Sequence, residues 1–134
     1  MASSYTFAYN DRIEIDIDTD MKKNYYINFL NLLKALQQAP EIVSLDTTSK
    51  QVLEEIAIGV ANEKLLTVSD VMALKPLGSP ATLHRKLDLL LNAQLVEATF
   101  SGTNRRTKYI ALTDNGKAYF DRLSHAIRSI QTVR

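Results

Sequence analysis

The sequence predicts a mainly α domain of the α+β class, and three observations support this prediction. Apolar residues recur at spacings of three and four over most of the chain, as in amphipathic helices. Only two regions, residues 5–17 and 96–112, show the alternation or composition of β-strands. The 134 residues, 46% of them hydrophobic and 23% charged, fit one globular domain with a core.

The composition excludes several kinds of site. The sequence has no Cys, which rules out disulfides, thiol nucleophiles and Cys-ligated zinc, and its two His speak against a His-rich metal site. No G-x-S-x-G, glycine-rich phosphate loop or H-E-x-x-H motif is present. No apolar run approaches the roughly 18 residues of a membrane span, and the N-terminus lacks a signal-peptide pattern. We therefore expect a cytoplasmic protein that is not an enzyme, with no cofactor, metal or membrane partner.

Residues 1–20 form a separate segment, which we interpret as an N-terminal β-hairpin or arm. Large apolar residues occupy every second position, which is the strand pattern. They are Tyr5, Phe7, Tyr9, Ile13, Ile15 and Ile17. A three-residue loop from Asn10 to Arg12 would place all six on one face, whereas a two-residue turn would separate them. A hairpin is therefore favoured, and one strand added to another chain is the alternative.

Two helices are predicted next. The first runs over 21–39 within an N-terminal segment, 21–44, that we assign to dimerisation; Asp18 and Asp20 can cap its start, and Pro40 marks its end. Its apolar stripe consists of Tyr25, Tyr26, Phe29, Leu32, Leu33 and Leu36. The second helix runs over about 48–63. Its buried stripe consists of Val52, Leu53, Ile56, Ala57 and Val60.

A short helix, a break and a longer helix follow. The run from Thr67 to Asp70 has the pattern of a capping box, with Asp in place of Glu, and opens a helix to about residue 74. The run from Lys75 to Ser79 is a break, after which Ser79 is an N-cap and Pro80 takes the first helical position. This helix continues to about residue 93. Its inward-facing residues are Leu83, Leu87, Leu90 and Leu91.

A hairpin and a last helix complete the chain. Residues 96–100 and 107–112 are rich in β-forming residues, and the segment Ser101–Arg106 between them is a polar, basic turn. Thr113 caps the last helix, within a C-terminal segment, 113–134, that we assign to dimerisation. The stripe of that helix consists of Ala118, Tyr119, Leu123, Ile127 and Ile130.

This order of elements is that of a winged helix-turn-helix, which we place at 45–112 with the two flanking helices as dimerisation helices. The second helix of such a motif needs a polar N-terminal end that enters the major groove and an apolar inner face that holds it rigidly. The hairpin tip needs cations for phosphates or the minor groove. The sequence meets both requirements.

Four segments also resemble the multiple-antibiotic-resistance-regulator (MarR) family of transcription factors. They are Leu45–Leu53 at the second helix, Leu66–Val71 before the turn, Ser79–Asp88 in the recognition helix and Asn104–Gly116 in the wing. The family usually has Asp where this chain has Asn104. The resemblance implies a homodimeric, sequence-specific regulator of transcription that binds double-stranded DNA. It implies a recognition helix, about 79–93, in the major groove and a wing, about 101–106, on the backbone or minor groove. A small-molecule effector of unknown identity is compatible with it.

The charges are distributed as this hypothesis requires. Between residues 75 and 108 there are six Lys or Arg and two acids, whereas residues 1–20 carry five acids and one Arg. A nearly neutral chain therefore has a basic DNA-facing region and an acidic N-terminus. With Leu83 pointing inward, Arg85 points outward and is the strongest candidate for a base or phosphate contact. The predicted DNA-binding residues are Ser79, Ala81, Thr82, His84, Arg85, Lys86, Arg105, Arg106 and Lys108.

The two arginines of the wing have two candidate roles. A cationic tip suits phosphates or the minor groove, but one arginine can also tie the wing to the body through an acid such as Asp70. The resemblance favours one outward and one structural arginine. A second hypothesis for the chain as a whole is a winged-helix protein–protein interaction module that does not bind DNA. Retention on heparin or random DNA separates these hypotheses, and an enzyme is a distant third.

Overall fold

The computed structural model describes residues 4–9, 13–18, 20–38 and 45–132, with side chains over 20–38 and 45–130. The chain divides into two units. The first comprises Met1–Ala39 and Arg122–Arg134, and the second comprises Pro40–Asp121. The last helix of the chain contributes its first residues to the second unit and its remaining residues to the first.

The first unit begins with an antiparallel hairpin. Strand β1 (Ser4–Tyr9) pairs with β2 (Ile13–Asp18) in a register that places Tyr9 opposite Ile13. Phe7 likewise pairs with Ile15 and Tyr5 with Ile17, which is the register that the favoured hairpin requires. The predicted loop from Asn10 to Arg12 lies outside the described residues.

The prediction of one helix over 21–39 was wrong at its start. A 3-10 turn, Met21–Lys23, precedes helix α1 (Tyr25–Leu36), and Asn24 separates them with an extended backbone. Asn24 is the N-cap of α1 because its Oδ1 accepts a hydrogen bond from the backbone N–H of Ile27 at 3.0 Å. Asp20 caps the 3-10 turn instead of the helix, whereas Asp18 lies in β2. Pro40, the predicted end marker, lies outside the described residues.

The second unit begins with helix α2 (Thr47–Ala61), which Asp46 caps by accepting the N–H of Ser49 at 2.8 Å. Val52, Leu53 and Ile56 are buried as predicted, whereas Ala57 and Val60 are half-buried. A short strand β3 (Leu66–Thr67) follows, which the sequence did not predict because two residues are too few to show alternation. Helix α3 (Val68–Met72) then starts at the predicted capping box, with both of its reciprocal hydrogen bonds present.

Helix α4 (Pro80–Asn92) is the predicted recognition helix. The break before it contains a 3-10 turn, Lys75–Leu77. Ser79 is the N-cap, and its Oγ accepts the N–H of Thr82 at 3.2 Å. Along the inner face Leu83, Leu87 and Leu90 are buried, and Leu91 is half-buried. The orientation of α4 is therefore fixed by apolar packing along its whole length.

Strands β4 (Val96–Ser101) and β5 (Asn104–Leu112) form the wing, and the three-stranded sheet has the order β3-β5-β4. The predicted turn Ser101–Arg106 was too long, because only Gly102 and Thr103 lie between the strands. Gly102 has φ +55°, a left-handed conformation that glycine adopts without strain.

Helix α5 (Asp114–Thr132) starts at the predicted cap, where Thr113 Oγ1 accepts the N–H of Gly116 at 3.1 Å. A Cβ at Gly116 would overlap the carbonyl oxygen of Leu95, so glycine lets α5 start against the end of the α4–β4 connection. Of the predicted stripe, Tyr119 and Ile130 are buried, but Ile127 is 44% exposed.

Candidate nucleic-acid interface

The outward face of α4 carries the predicted major-groove contacts. Ala81, His84 and Arg85 are exposed and Thr82 is half-buried, as expected for residues turned away from the buried Leu83. Arg85 Nη2 lies 3.5 Å from Thr82 Oγ1, at the limit of a hydrogen bond, so its guanidinium keeps most of its donors free. No carboxylate among residues 20–38 and 45–130 forms an ion pair with Arg85, so the helix presents a planar cation from a rigid support.

The hydroxyl of Ser79 is already used within the helix terminus. It accepts the N–H of Thr82 and donates to Thr82 Oγ1 at 3.0 Å. Capping therefore explains the presence of Ser79, and its predicted contact with DNA stays a prediction.

A groove of about 560 Å³ lies between α4, the start of α3 and the wing. His84 and Asp88 form its α4 side, and the distance from His84 Nδ1 to Asp88 Oδ2 is 3.3 Å. Arg106 and Lys108 form its wing side, and Ser69 lies at the α3 end. The groove therefore brings together three of the predicted DNA-binding residues and one carboxylate.

Lys86 has a protein partner that the sequence did not predict. Its Nζ lies 2.8 Å from Asp46 Oδ2, so the side chain connects α4 to the N-terminus of α2. The hydrogen bond from Lys86, together with the one from the backbone N–H of Ser49, lowers the pKa of Asp46 from 3.8 to about 2. Asp46 is recognisable in the sequence as a possible N-cap, but nothing in the sequence shows that a lysine 40 positions later approaches it.

The wing cations lie at an irregularity in strand pairing. Thr99 pairs with Tyr109 and Ser101 pairs with Asn104, with a register shift between these pairs. One residue of β4, Phe100, therefore stands opposite four residues of β5, Arg105–Lys108. A bulge of this kind bends the strand and redirects its side chains. All three predicted wing cations, Arg105, Arg106 and Lys108, fall in this segment.

The two wing arginines have different surroundings. The Arg105 guanidinium carbon lies 5.6 Å from the centroid of the Phe100 ring, whereas Arg106 lines the groove beside α4. The expected tie to Asp70 is not formed among the described residues. The Asp70 carboxylate accepts the backbone N–H of Thr67 at 2.9 Å. Asn104, in the position where the family usually has Asp, accepts the N–H of Arg106 through Oδ1 at 3.0 Å.

Phe100 was not among the predicted site residues. An aromatic residue two positions before a glycine turn is a weak signal in sequence, because aromatic residues are common in strands for packing reasons alone. Its position opposite the cations depends on the register shift, which the sequence did not predict.

Metal-binding clusters and membrane spans are both missing from the part of the chain that the structure describes. Among residues 20–38 and 45–130, no cluster of three or more His, Asp or Glu is placed to hold a metal ion. No helix of the described chain is long and apolar enough to cross a membrane.

Several solved structures have a similar fold. No protein-family model matches the chain, and no curated protein matches it. Among solved structures, RV1404 from Mycobacterium tuberculosis is 21% identical, with a TM-score of 0.54 over 74% of this chain and 66% of that one. MepR from S. aureus bound to ethidium bromide is 18% identical, with a TM-score of 0.55 over 81% of this chain and 78% of that one.

MarR from Staphylococcus aureus in complex with salicylate and kanamycin is also similar, with 18% identity and a TM-score of 0.52 over 79% of this chain. The match spans 65% of that MarR chain and 66% of RV1404, slightly under two thirds of each. At these identities the likeness establishes the fold, and it confirms the predicted class. The chain has the winged helix-turn-helix fold of the MarR-family regulators.

Proposed function

We propose that this protein is a DNA-binding transcriptional regulator that acts as a homodimer on a pseudo-palindromic site. One observation supports the proposal most strongly. Helix α4 has a buried inner face and exposes Arg85 on its outer face, and the wing, which has three cations, lies across a groove from this helix. This is the arrangement needed to place a helix in the major groove while the wing contacts the neighbouring backbone or minor groove.

Each part of the interface has its own role in this proposal. Arg85 binds guanine O6 and N7 or a phosphate, because its planar donors suit bidentate contact. Ala81 can contact a thymine methyl group, and Thr82, His84 and Ser79 bind base edges or phosphates beside it. Arg105, Arg106 and Lys108 contact the flanking DNA. Lys86 supports α4 through Asp46 and adds positive charge near the DNA.

The described part of the first unit supports dimerisation. Helix α1 has only three polar residues among twelve, yet none of its residues is buried. Tyr25 and Tyr26 are 63% and 66% exposed and, with Ile127 of α5, border an apolar depression of about 600 Å³. Exposed apolar patches mark interaction sites, and we assign this one to a second copy of the chain. A dimer also doubles the number of base contacts, at half-sites about 34–36 Å apart.

Sedimentation equilibrium at micromolar concentration tests the dimer. We expect a mass near twice the 15.1 kDa of the chain. Tyr26→Asp, which puts a charge in the apolar depression, should shift the equilibrium toward the monomer, whereas Lys34→Asp, on an exposed position of the same helix, should not. A wild-type mass near that of one chain would contradict the proposal.

Regulation would then be steric, because a dimer bound at a promoter excludes polymerase. Two of the similar structures contain small molecules: ethidium in MepR, and salicylate and kanamycin in MarR. They support the proposal that a small molecule alters the affinity of this protein for DNA. We propose no catalytic activity and a cytoplasmic location.

Selection of binding sites from random duplex DNA tests the proposed function directly. Wild-type protein should enrich a site with two related halves. Arg85→Ala should lose base choice at one position of each half, and Arg128→Ala, an exposed arginine of α5 outside the basic region, should select the wild-type site. Failure to enrich any sequence, with folded dimeric protein, would instead favour the protein–protein interaction module.

A further inference from the structure

The wing contains an aromatic–cation pair, formed by Phe100 and Arg105. Phe100 is 36% exposed, which is high for a phenylalanine in a strand, and it is the single residue opposite the cationic segment Arg105–Lys108. The Arg105 guanidinium carbon lies 5.6 Å from the centre of its ring, within the range of a cation–π interaction.

Arg105 differs from its neighbour in what surrounds it. Arg106 lines the groove that contains His84 and Asp88, whereas Arg105 is not among the residues that line it. The Arg105 guanidinium lies over the Phe100 ring instead, and no carboxylate within the described residues is close enough to form an ion pair with it. Its charge is therefore compensated by no acid, and its position depends on the ring of Phe100.

A cation–π contact with a ring leaves the hydrogen-bond donors of a guanidinium free. The ring accepts no conventional hydrogen bond, so the five N–H donors of Arg105 stay available for acceptors on DNA. The minor groove offers A N3 and T O2 as acceptors, and the guanine N2 amine interrupts this pattern. A flat cation beside a tight two-residue turn, Gly102 and Thr103, suits a narrow groove better than it suits an isolated phosphate, for which a point charge such as Lys108 suffices.

We infer that Phe100 is a positioning residue that holds Arg105 for insertion into the DNA minor groove, and that through Arg105 it sets a preference for base pairs without the guanine N2 amine. The inference rests on the proposed DNA-binding function. It places Arg105 in the minor groove of the DNA, whereas Arg106 stays in the protein groove beside α4. It makes Phe100 a determinant of sequence preference although Phe100 itself forms no hydrogen bond with a base.

Two duplexes isolate the minor groove. In an alternating inosine·cytosine duplex the major-groove edges are those of guanine·cytosine, but the N2 amine is missing from the minor groove. Fluorescence anisotropy at low salt gives the ratio of Kd for the guanine·cytosine duplex to Kd for the inosine·cytosine duplex. We expect wild-type protein to favour inosine·cytosine about five- to tenfold.

The variants separate the contribution of the Phe100 ring from that of the Arg105 charge. Arg105→Ala should bring the ratio to about one, because the inserted group is removed. Phe100→Leu keeps an apolar side chain without the π face and should lower the ratio about two- to fivefold, whereas Phe100→Tyr should retain the wild-type ratio. Arg105→Lys, which keeps the charge but not the planar group, should lower the ratio as Phe100→Leu does. Lys108→Ala should weaken binding to both duplexes equally and leave the ratio unchanged.

Thermal melting of each variant confirms that the wing variants are folded, and a merely structural role of Phe100 would change the melting temperature without changing the ratio. The inference is overturned if wild-type protein binds both duplexes equally, if Phe100→Leu retains the wild-type ratio, or if Phe100→Tyr loses it. The proposed function stands in all three cases. Absence of binding to either duplex would overturn the proposed function, and this inference with it.

Discussion

Helix α4 and the wing carry the two halves of the proposed interface, but they are held in place differently. On α4, Leu83, Leu87 and Leu90 are buried, and Ser79 and the Asp46–Lys86 ion pair fix its start and its side. In the wing every residue over 100–106 is exposed, and the contacts of its tip are local, such as the one between Arg105 and the Phe100 ring. The helix therefore takes its orientation from the core, whereas the wing tip has no core packing to hold it.

The largest expected effect comes from breaking the support of α4. Leu83→Ala leaves a cavity under the helix and should lower the free energy of unfolding by about 2–5 kcal/mol. Thr103→Ala at the wing tip should change it by less than about 0.5 kcal/mol. Urea denaturation of both variants measures the contrast. Similar losses of stability from both would show that the wing is part of the cooperative core.

The next effect separates sequence recognition from attachment. Arg85→Ala should cost about 1–3 kcal/mol in binding to the selected site and little in binding to random duplex. Arg106→Ala should weaken binding to both, because contacts with the backbone carry no sequence information. Anisotropy titrations with the two kinds of DNA measure each variant. An equal loss of both kinds of binding on Arg85→Ala would assign Arg85 to a phosphate and contradict its contact with a base.

A smaller effect concerns the cap that ties α2 to α4. Asp46→Ala removes an N-cap and an ion pair and should destabilise the fold by about 0.5–2 kcal/mol near neutral pH. Because folding lowers the pKa of Asp46 from 3.8 to about 2, its carboxylate stabilises the fold above about pH 4, and this stabilisation is lost as the pH falls through about 2.

The difference in urea midpoint between wild type and Asp46→Ala should therefore shrink as the pH is lowered from 7 toward 2. Asp121→Ala, at an exposed position of α5, serves as the control and should differ little from wild type at any of these pH values. A difference from Asp46→Ala that stays constant with pH would exclude the ion pair as its source.

The smallest effect distinguishes two lysines of the basic region. The logarithm of the binding constant falls linearly with the logarithm of the salt concentration. Lys108→Ala should make this slope less steep by about 0.9 for each phosphate that the lysine neutralises in the wild-type complex. Lys86→Ala should leave the slope unchanged if Lys86 keeps its contact with Asp46 when DNA is bound. Equal changes in slope would assign both lysines to phosphates.

The sequence predicted the elements whose signals are local. The capping box at Thr67, the N-caps Ser79 and Thr113 and the buried leucines of α4 follow from spacing and residue type, and the structure confirms them. The split before α1 was missed because the apolar stripe starts only at Tyr25 and gives no signal for residues 21–24.

The features of the candidate site that escaped prediction depend on contacts between distant parts of the chain. Lys86 and Asp46 are 40 positions apart, and their pairing requires the packing of α4 on α2. The length of the wing turn and the place of Phe100 depend on the register of β4 and β5, which shifts between Thr99 and Ser101. Residue type alone does not fix such a shift.

The central claim is that the face formed by α4 and the wing binds duplex DNA, and a salt series with wild-type protein tests it most directly. If a dimer uses about six to eight phosphate contacts, the logarithm of the binding constant should fall against the logarithm of salt concentration with a slope of about −5 to −7. Fluorescence anisotropy with a labelled random duplex gives this slope. A flat response, or no binding at the lowest salt concentration, would contradict the claim.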